Sequence, residues 1–256
     1  YRLFVGTDAI KRDLAWFQKH SAGFEVSITD STEDYAVLGL MGPEAARIVS
    51  ECGAPELNEL AYFKVGAAHI AEKHVRAARM SYVGEPGWEI TMKAENAATI
   101  YMALVNAGAR PAGLYAQTSM RIEKGFCAMG HELDSDVSPV DIGLDFVTRK
   151  EGGFIGAEAL AERRKIKGSS SLISLKFHDE EAVPLGHEPI YYDGDIIGQT
   201  SSCAFGYRIG KPVALGKIHN RKPSGTAVKV DIARQLFDAT LFTCRLFDAK
   251  AHRMKS

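Results

Sequence analysis

The sequence lacks the features that mark membrane, secreted and nucleic-acid-binding proteins. It contains no apolar run of about 18 residues, so it predicts no transmembrane helix. We also expect no signal peptide. Its 31 basic side chains nearly balance its 32 acidic ones, for a formal net charge of −1. Because no basic field draws the chain to nucleic acid or to an anionic membrane, we predict neither as a partner.

Cysteine is scarce as well. Cys52, Cys127, Cys203 and Cys244 are scattered, and no pair of them has C-x-x-C spacing. In a chain of 256 residues this pattern does not indicate a disulfide framework, and it fits a reducing compartment. We expect each thiol to be a small buried apolar group.

The chain begins with Tyr1 rather than Met, and YRLFV reads as a strand without a preceding cap. We therefore expect upstream residues in the native protein, and an inner strand whose partners are missing. The segment FEVSITD alternates as a further strand, and HVRAARMSYV and GWEITMK read as two more. Helical patterns lie between and after them, the clearest being AENAATIYMALVNAG with Gly108 as its C-cap.

The composition changes at KIKGSSS, residues 165–171, which is basic and then rich in serine and therefore predicts a linker. Beyond it only strands are predicted, including a hairpin around Asp193-Gly194. Short strands at regular spacing favour a small barrel or sandwich. We therefore predict an α+β domain of antiparallel sheets with flanking helices over residues 1–167, followed by a small all-β barrel over residues 168–256.

The segment RMSYVGEPGWEI, residues 79–90, reads as a strand, a turn and a second strand. Side chains alternate along a strand, so Glu89 points away from the face shared by Trp88 and Ile90. Gly87 leaves room beside it for a flat group. A carboxylate buried there would need a partner with two adjacent N–H donors.

Such a fork is offered by an arginine or by a 2-amino-4-oxo pterin ring. Tyr82 could pack beside that ring and use its hydroxyl. The alternative interpretation is that Glu89 faces water or an internal arginine, and spacing alone favours this alternative.

Several motifs together are typical of one family. They are SYVGEPGWEI (81–90), SMRIEKGF (119–126), GHELDSDVSPVDIGL (130–144), FIGAEAL (154–160), EPIYYDGDIIGQTSS (188–202), VALGKI (213–218) and LFDAKAHRM (246–254). With them the chain resembles the aminomethyltransferase (glycine-cleavage T-protein) family. Within it, the chain is most similar to the folate-binding C-terminal region of dimethylglycine and sarcosine dehydrogenases.

The resemblance implies tetrahydrofolate as the cofactor and Glu89 as the residue that grips its pterin. It implies that Tyr82 lines the same site, and that Arg253 contacts the folate where the chain closes over it. Glu85, in the turn of the motif, is expected to be structural. Arg121 is expected to form a structural ion pair, and Gln117 stands where the glycine-cleavage branch has a folate-contacting arginine.

The catalytic residue is left unknown. The family's catalytic aspartate lies in an Asn/Gly-Gly/Asp motif upstream of a DLAWFQKH-like helix, where it would act as a general base, and no such motif occurs in this sequence. A G-x-G-x-x-G fingerprint is missing too, so FAD is expected only in a fused or partner domain. A chain without these two motifs could hold part of a folate site and still be unable to carry out the transfer.

Three functions follow from the resemblance. The leading hypothesis is a tetrahydrofolate-binding module that captures a one-carbon unit from the iminium of an N-methyl amine, such as dimethylglycine or sarcosine, giving 5,10-methylenetetrahydrofolate. Its partner would be a flavin amine dehydrogenase domain. The alternatives are a non-catalytic folate-binding or regulatory protein, and a stand-alone aminomethyltransferase acting on a lipoyl-bound aminomethyl group. The expected location is the cytoplasm, or the mitochondrial matrix in a eukaryote.

Other clusters favour plain structural interpretations. HELDSD (131–136) could hold a hard cation but is expected to be a solvated acidic loop. Cys127 and His131 are close enough for a thiolate pair, which we consider the weaker interpretation. His178 and His187 are expected at the surface, and no metal site is predicted. The basic run ERRKIK (162–167) could attract a folate's glutamate tail, or be a solvated helix end.

Overall fold

A computed structural model of the chain describes residues 1–166 and 171–255. The chain divides into two compact units. The first unit comprises Tyr1–Leu40, Glu44–Arg79 and Trp88–Ala109, and the second comprises Met41–Pro43, Met80–Gly87 and Arg110–Ser256. Within the described residues no helix is long and apolar enough to cross a membrane.

The first unit is built on one four-stranded sheet with helices. Its elements in chain order are α1 (Ile10–His20), β1 (Tyr35–Met41), α2 (Ala45–Glu51), β2 (Val65–Ile70), β3 (Lys73–Arg79), β4 (Gly87–Lys93) and α3 (Ala97–Asn106). The strand order is β1-β4-β3-β2, with β3 antiparallel to both of its neighbours. One face of β4 carries the core, because Trp88, Ile90 and Met92 are almost fully buried with apolar residues of α2 and α3.

The strands β2 and β3 form a tight hairpin. Its two turn residues, Ala71 and Glu72, have φ angles of 48° and 64°, as a type I′ turn requires. The turn places Ile70 opposite Lys73 and, one step further from it, His69 opposite His74. Because the turn type sets the register of a hairpin, this pairing is determined locally.

The second unit contains a closed six-stranded barrel. The helices and strands of the second unit are α4 (Leu114–Glu123), α5 (Ala157–Lys165), β5 (Ser171–Phe177), β6 (Pro189–Tyr192), β7 (Asp195–Gly206), β8 (Lys211–Ile218), β9 (Thr226–Ile232), β10 (Gln235–Phe242) and α6 (His252–Lys255). The strands follow the order β10-β5-β8-β7-β6-β9 and pair antiparallel. Helix α4 packs on the barrel through Ile122 against Val213 and Leu215.

The predicted α+β region and the C-terminal barrel are both confirmed. Asp193 and Gly194 form the hairpin turn between β6 and β7 with φ angles of 51° and 89°. The predicted linker falls largely on residues 167–170, which lie outside the described residues. The boundary after residue 167 therefore stays a prediction.

Two predicted strands are not formed. Residues 1–5 and 24–30 have no strand conformation, and residues 24–30 are exposed throughout. An alternating pattern makes a strand only where a neighbouring strand accepts its backbone hydrogen bonds, and no described strand pairs with either segment.

A third predicted strand is shorter than its sequence pattern. It ends at Arg79 rather than Val83, because the backbone N–H groups of Val83 and Gly84 donate to the Ser81 hydroxyl at 3.3 and 3.1 Å. Serine competes with the sheet for backbone groups in this way. Residues 80–87 are called the 80–87 loop below.

The barrel generates a first prediction. At Gly198, on β7, an added Cβ would lie 2.0 Å from the Lys217 carbonyl oxygen and 2.7 Å from the Ile218 Cα of β8. Gly198→Ala should therefore force the two strands apart and lower the free energy of unfolding by roughly 3 kcal/mol or more. Urea denaturation followed by circular dichroism measures this. Gly6→Ala, where nothing lies within 4 Å, should change stability by less than about 0.5 kcal/mol. Equal effects would contradict the close strand approach.

Candidate functional site

In the first unit Glu89 has a half-buried carboxylate without a partner among the described residues. It lies on β4 opposite Ala78 of β3, and its neighbours Trp88 and Ile90 point to the core face. Among the described residues, no side chain or backbone group donates a hydrogen bond to this carboxylate, and no cationic side chain forms an ion pair with it. Burial raises the pKa of its carboxyl.

This arrangement removes one part of the alternative interpretation of Glu89, the internal arginine. An internal arginine partner is not formed within residues 1–166 and 171–255. A partly desolvated carboxylate without a donor is unfavourable in the folded chain, and it would gain from any ligand that brings adjacent N–H groups. Perturbed and unpaired carboxyls of this kind concentrate at functional sites.

In the second unit Tyr82, on the 80–87 loop, is anchored mainly by the residues that follow α4. Its hydroxyl donates to the Cys127 carbonyl oxygen at 2.7 Å, and its ring stacks on Phe126 with centroids 6.0 Å apart. Its backbone N–H reaches the Met41 sulfur at 3.5 Å. Since the hydroxyl proton is already donated, a ligand contact by Tyr82 would use the ring or the oxygen lone pairs.

Glu85 is buried and held by two arginines. Arg253 Nε lies 2.8 Å from one carboxylate oxygen, and an Arg208 guanidinium nitrogen lies 3.4 Å from the other. The structural role expected for Glu85 fits this geometry. Arg253 therefore joins the C-terminal segment to the 80–87 loop through an ion pair, and its folate contact stays a prediction.

Arg208, which the sequence analysis did not identify, is the larger anchor of that loop. It donates to the carbonyl oxygens of Val83 at 3.0 Å and Met120 at 2.8 Å, and it forms a short ion pair with Glu123. Its guanidinium lies 3.8 Å from the ring centroid of Phe247. A lone arginine in a strand connection carries no pattern that predicts such contacts.

Lys124 was missed for a similar reason. Its side chain is fully buried, and its amine donates to the Asp248 carboxylate at 2.8 Å and to the Asp248 carbonyl at 2.7 Å. Burial lowers the pKa of Lys124 against the opposing effect of Asp248. Gly84 has a φ of 83°, and a Cβ there would lie 2.8 Å from the lysine stem, so this glycine makes room for the lysine.

Arg121 forms the structural ion pair that the sequence predicts. It lies 2.9 Å from Glu132, whose other oxygen accepts from the Ser201 hydroxyl at 2.5 Å. Burial favours the neutral acid. The hydrogen bonds from the serines and from the Ala128 N–H, together with the charge of Arg121, nevertheless hold the pKa of Glu132 below its usual value.

The buried pair of Arg121 and Glu132 corrects the expectation that HELDSD (131–136) is a solvated acidic loop. Glu132 is completely buried, so the segment is not uniformly a solvated acidic loop. Asp134 and Asp136 are exposed, as expected. Among the described residues no group of three or more histidine, cysteine or acidic side chains could hold a metal ion.

The cysteines and the basic run have plain roles. Burial raises the pKa of Cys127 to about 11, which leaves its thiol protonated and a poor nucleophile. All four cysteines are free thiols, but Cys52, Cys127 and Cys203 are only partly buried and Cys244 is exposed, so the expected burial is not found for any of them. Three of the basic side chains are ion-paired, Arg163 with Asp141 and Arg164 with Asp145 at 2.7 Å, and Lys165 with Glu162 at 2.6 Å.

Two family models together match most of the chain. A family model described as the GCVT N-terminal domain matches residues 1–152, and one described as the glycine cleavage T-protein C-terminal barrel domain matches residues 171–248. The chain belongs to the glycine cleavage T-protein family. The predicted family is thereby confirmed.

Named relatives fall into two groups. Mouse (Mus musculus) mitochondrial dimethylglycine dehydrogenase is 30% identical over 252 residues, which cover 94% of this chain and 29% of that protein. An aminomethyltransferase of Rubrobacter xylanophilus is 31% identical over 222 residues, covering 86% of this chain and 59% of that protein. This chain thus spans less than two thirds of the length of either relative.

A solved structure agrees with the fold. The crystal structure of the glycine cleavage system aminomethyltransferase T from Bartonella henselae superposes with a TM-score of 0.84 at 26% identity. The match covers 94% of this chain and 67% of that one.

The buried pair generates a second prediction. Glu132→Gln removes the countercharge and leaves Arg121 charged in a dry site, so the free energy of unfolding should fall by about 3–5 kcal/mol. Urea denaturation measures the change. Glu162→Gln, which breaks an exposed pair with Lys165, should cost less than about 1 kcal/mol. A loss of that small size for Glu132→Gln would mean that its pair with Arg121 contributes no more than an exposed one.

Glu89 generates a third prediction, on pH. A carboxyl whose pKa is raised in the folded state binds protons better there than in the unfolded chain, so stability falls as pH rises from the ordinary value of 4.5 through the raised pKa. Glu89→Gln lacks this loss. It should match the parent chain in acid and become the more stable protein at neutral pH. Glu95→Gln, at an exposed position, should show no such crossover. Greater stability of the parent chain at neutral pH would indicate a cationic partner for Glu89.

Proposed function

We propose that this chain is a tetrahydrofolate-binding one-carbon transfer module. The observation that carries the proposal is Glu89, a half-buried carboxylate on β4 that lacks a donor among the described residues. The exocyclic amine and adjacent ring N–H of a pterin form a fork that would satisfy both carboxylate oxygens. Membership of the T-protein family supports this choice over other fork-shaped donors.

In the proposal, three residues take the parts that the family resemblance implies for them. Glu89 accepts the pterin fork and fixes the orientation of the ring. Tyr82 offers its ring, which is held in place by the hydrogen bond to the Cys127 carbonyl. Arg253 contacts the folate from the C-terminal segment while it remains paired with Glu85. When bound, tetrahydrofolate supplies the nitrogen atoms that accept the one-carbon unit.

For the donor we propose the iminium derived from an N-methyl amine such as dimethylglycine or sarcosine. The match to dimethylglycine dehydrogenase over 94% of this chain supports it. Gln117, in place of the arginine of the glycine-cleavage branch, supports it as well. In this proposal a flavin dehydrogenase domain, fused or separate, oxidises the amine and holds any FAD. The cytoplasm, or the mitochondrial matrix in a eukaryote, is the proposed location.

A second candidate rests on the aminomethyltransferase relatives. The match to the Rubrobacter protein covers 86% of this chain, which favours an activity on a carrier-bound aminomethyl group. The two candidates share the folate site and differ in the donor. Release of ammonia from an aminomethylated lipoyl carrier in the presence of tetrahydrofolate would favour this second candidate.

The fourth prediction concerns folate binding. Calorimetric titration of the chain with tetrahydrofolate, under exclusion of air, should show one site per chain. Glu89→Gln removes the charge from the fork, so affinity should fall by about 1.5–3 kcal/mol. This variant is also expected to be the more stable one at neutral pH, so weaker binding could not be ascribed to unfolding.

The control for this titration is Glu95→Gln. Glu95 lies in the 3-10 turn after β4 and is exposed, so its neutralisation should leave the affinity unchanged. Equal affinity of the parent chain and Glu89→Gln would contradict the assigned pterin contact. Failure of the folded parent chain to bind tetrahydrofolate would contradict the folate module as it stands in these residues.

A further inference from the structure

Two histidines face each other across the β2–β3 hairpin. His69 and His74 are directly opposed in the register, and their ring centroids lie 5.6 Å apart with an interplanar angle of 78°. Both are exposed. The pair is one step from the two-residue turn, a position where opposed residues do not exchange backbone hydrogen bonds and their side chains are closest.

The ring geometry suits a shared metal ion. An ion that binds one nitrogen of each imidazole at about 2.1 Å places the ring centroids roughly 5.3 Å apart at a tetrahedral angle and roughly 6.5 Å apart when the two bonds are opposed. The observed separation already falls in this interval. The hairpin also fixes both backbones, so little ordering is left to the moment of binding.

We propose that His69 and His74 form a two-imidazole binding site for a divalent transition-metal ion, with solvent completing the coordination. Imidazole ligands suit Zn²⁺, Ni²⁺ and Cu²⁺, and affinity for a given nitrogen site rises to a maximum at Cu²⁺. Carboxylate-preferring ions such as Mg²⁺ and Ca²⁺ find no suitable donors in the pair.

The site is separate from the proposed folate contact. His74 and Ala78 are four residues apart on β3 and share a face, and Ala78 is opposite Glu89. The histidine pair therefore lies roughly 13 Å along the strand from the level of Glu89. Arg76, on the same face between them, adds a positive charge that opposes metal binding.

The fifth prediction tests this site with Cu²⁺ and Zn²⁺ on the full chain, free of any histidine tag. With the exposed thiol removed by Cys244→Ser in every sample, calorimetry should show one site for either ion, and electron paramagnetic resonance of the Cu²⁺ complex should show two equivalent nitrogen ligands. His69→Gln and His74→Gln should each weaken Cu²⁺ binding by roughly tenfold or more, because one remaining imidazole cannot chelate. Both side chains are exposed, so the variants should fold normally.

Three further variants sharpen the test. The double variant His69→Gln/His74→Gln should bind Cu²⁺ only slightly more weakly than either single variant, because each single substitution already removes the chelate. His219→Gln, an exposed histidine outside the pair, should leave affinity unchanged, and Arg76→Gln should preserve or strengthen it. Wild-type affinity in either single variant, or a spectrum with one nitrogen ligand, would overturn the proposal. Tetrahydrofolate titration of the His69 and His74 variants should be unaltered, which keeps the two proposals independent.

Discussion

The second unit depends on charges buried at the end of α4. Arg121, Glu123 and Lys124 follow one another within four positions, and each is almost completely removed from water. Each must therefore find a partner, and the partners come from distant parts of the chain: the loop at Glu132, the β7–β8 connection and the C-terminal segment. Breaking any one pair would leave a buried charge without compensation, so the three connections are fixed together. Such pairs are weak evidence for stability, but they strongly restrict which arrangements of these segments are compatible with folding.

The 80–87 loop is organised by the same charges. Arg208, which is paired with Glu123, also binds a loop carbonyl and lies beside Glu85, while the stem of Lys124 requires a glycine at position 84. The loop is therefore positioned by side chains that make no sequence motif with it. Its place therefore depends on contacts with the β7–β8 connection and the C-terminal segment.

These contacts explain what sequence reasoning could and could not predict. Helix α3 and the turn at Asp193-Gly194 depend on local periodicity and turn chemistry, and both were predicted. The segment 24–30 has the local pattern of a strand but no described neighbour, so the prediction was wrong. Glu132 and Lys124 were misjudged or missed because a charged residue is normally assumed to be solvated. Only long-range partners reverse that assumption, and they cannot be seen in a single sequence. The family motif around Glu89 identified a candidate site, but nothing local could show that its carboxylate lacks a partner.

Glu89 contrasts with the ion-paired charges of α4. The charges of α4 are compensated within the chain, whereas the Glu89 carboxylate is partly desolvated and is left without a donor among the described residues. Its ionised form is therefore less favourable in the folded chain than in water, and folding alone does not account for its place on β4. A ligand with two N–H donors would reverse the sign of its contribution, so that the same residue opposes stability in the free chain and favours it in the complex. Functional residues commonly show this opposition between stability and binding. The stability that tolerates such a residue would then come from elsewhere in the fold, from the apolar cores and the closed barrel, where every buried strand has its neighbours.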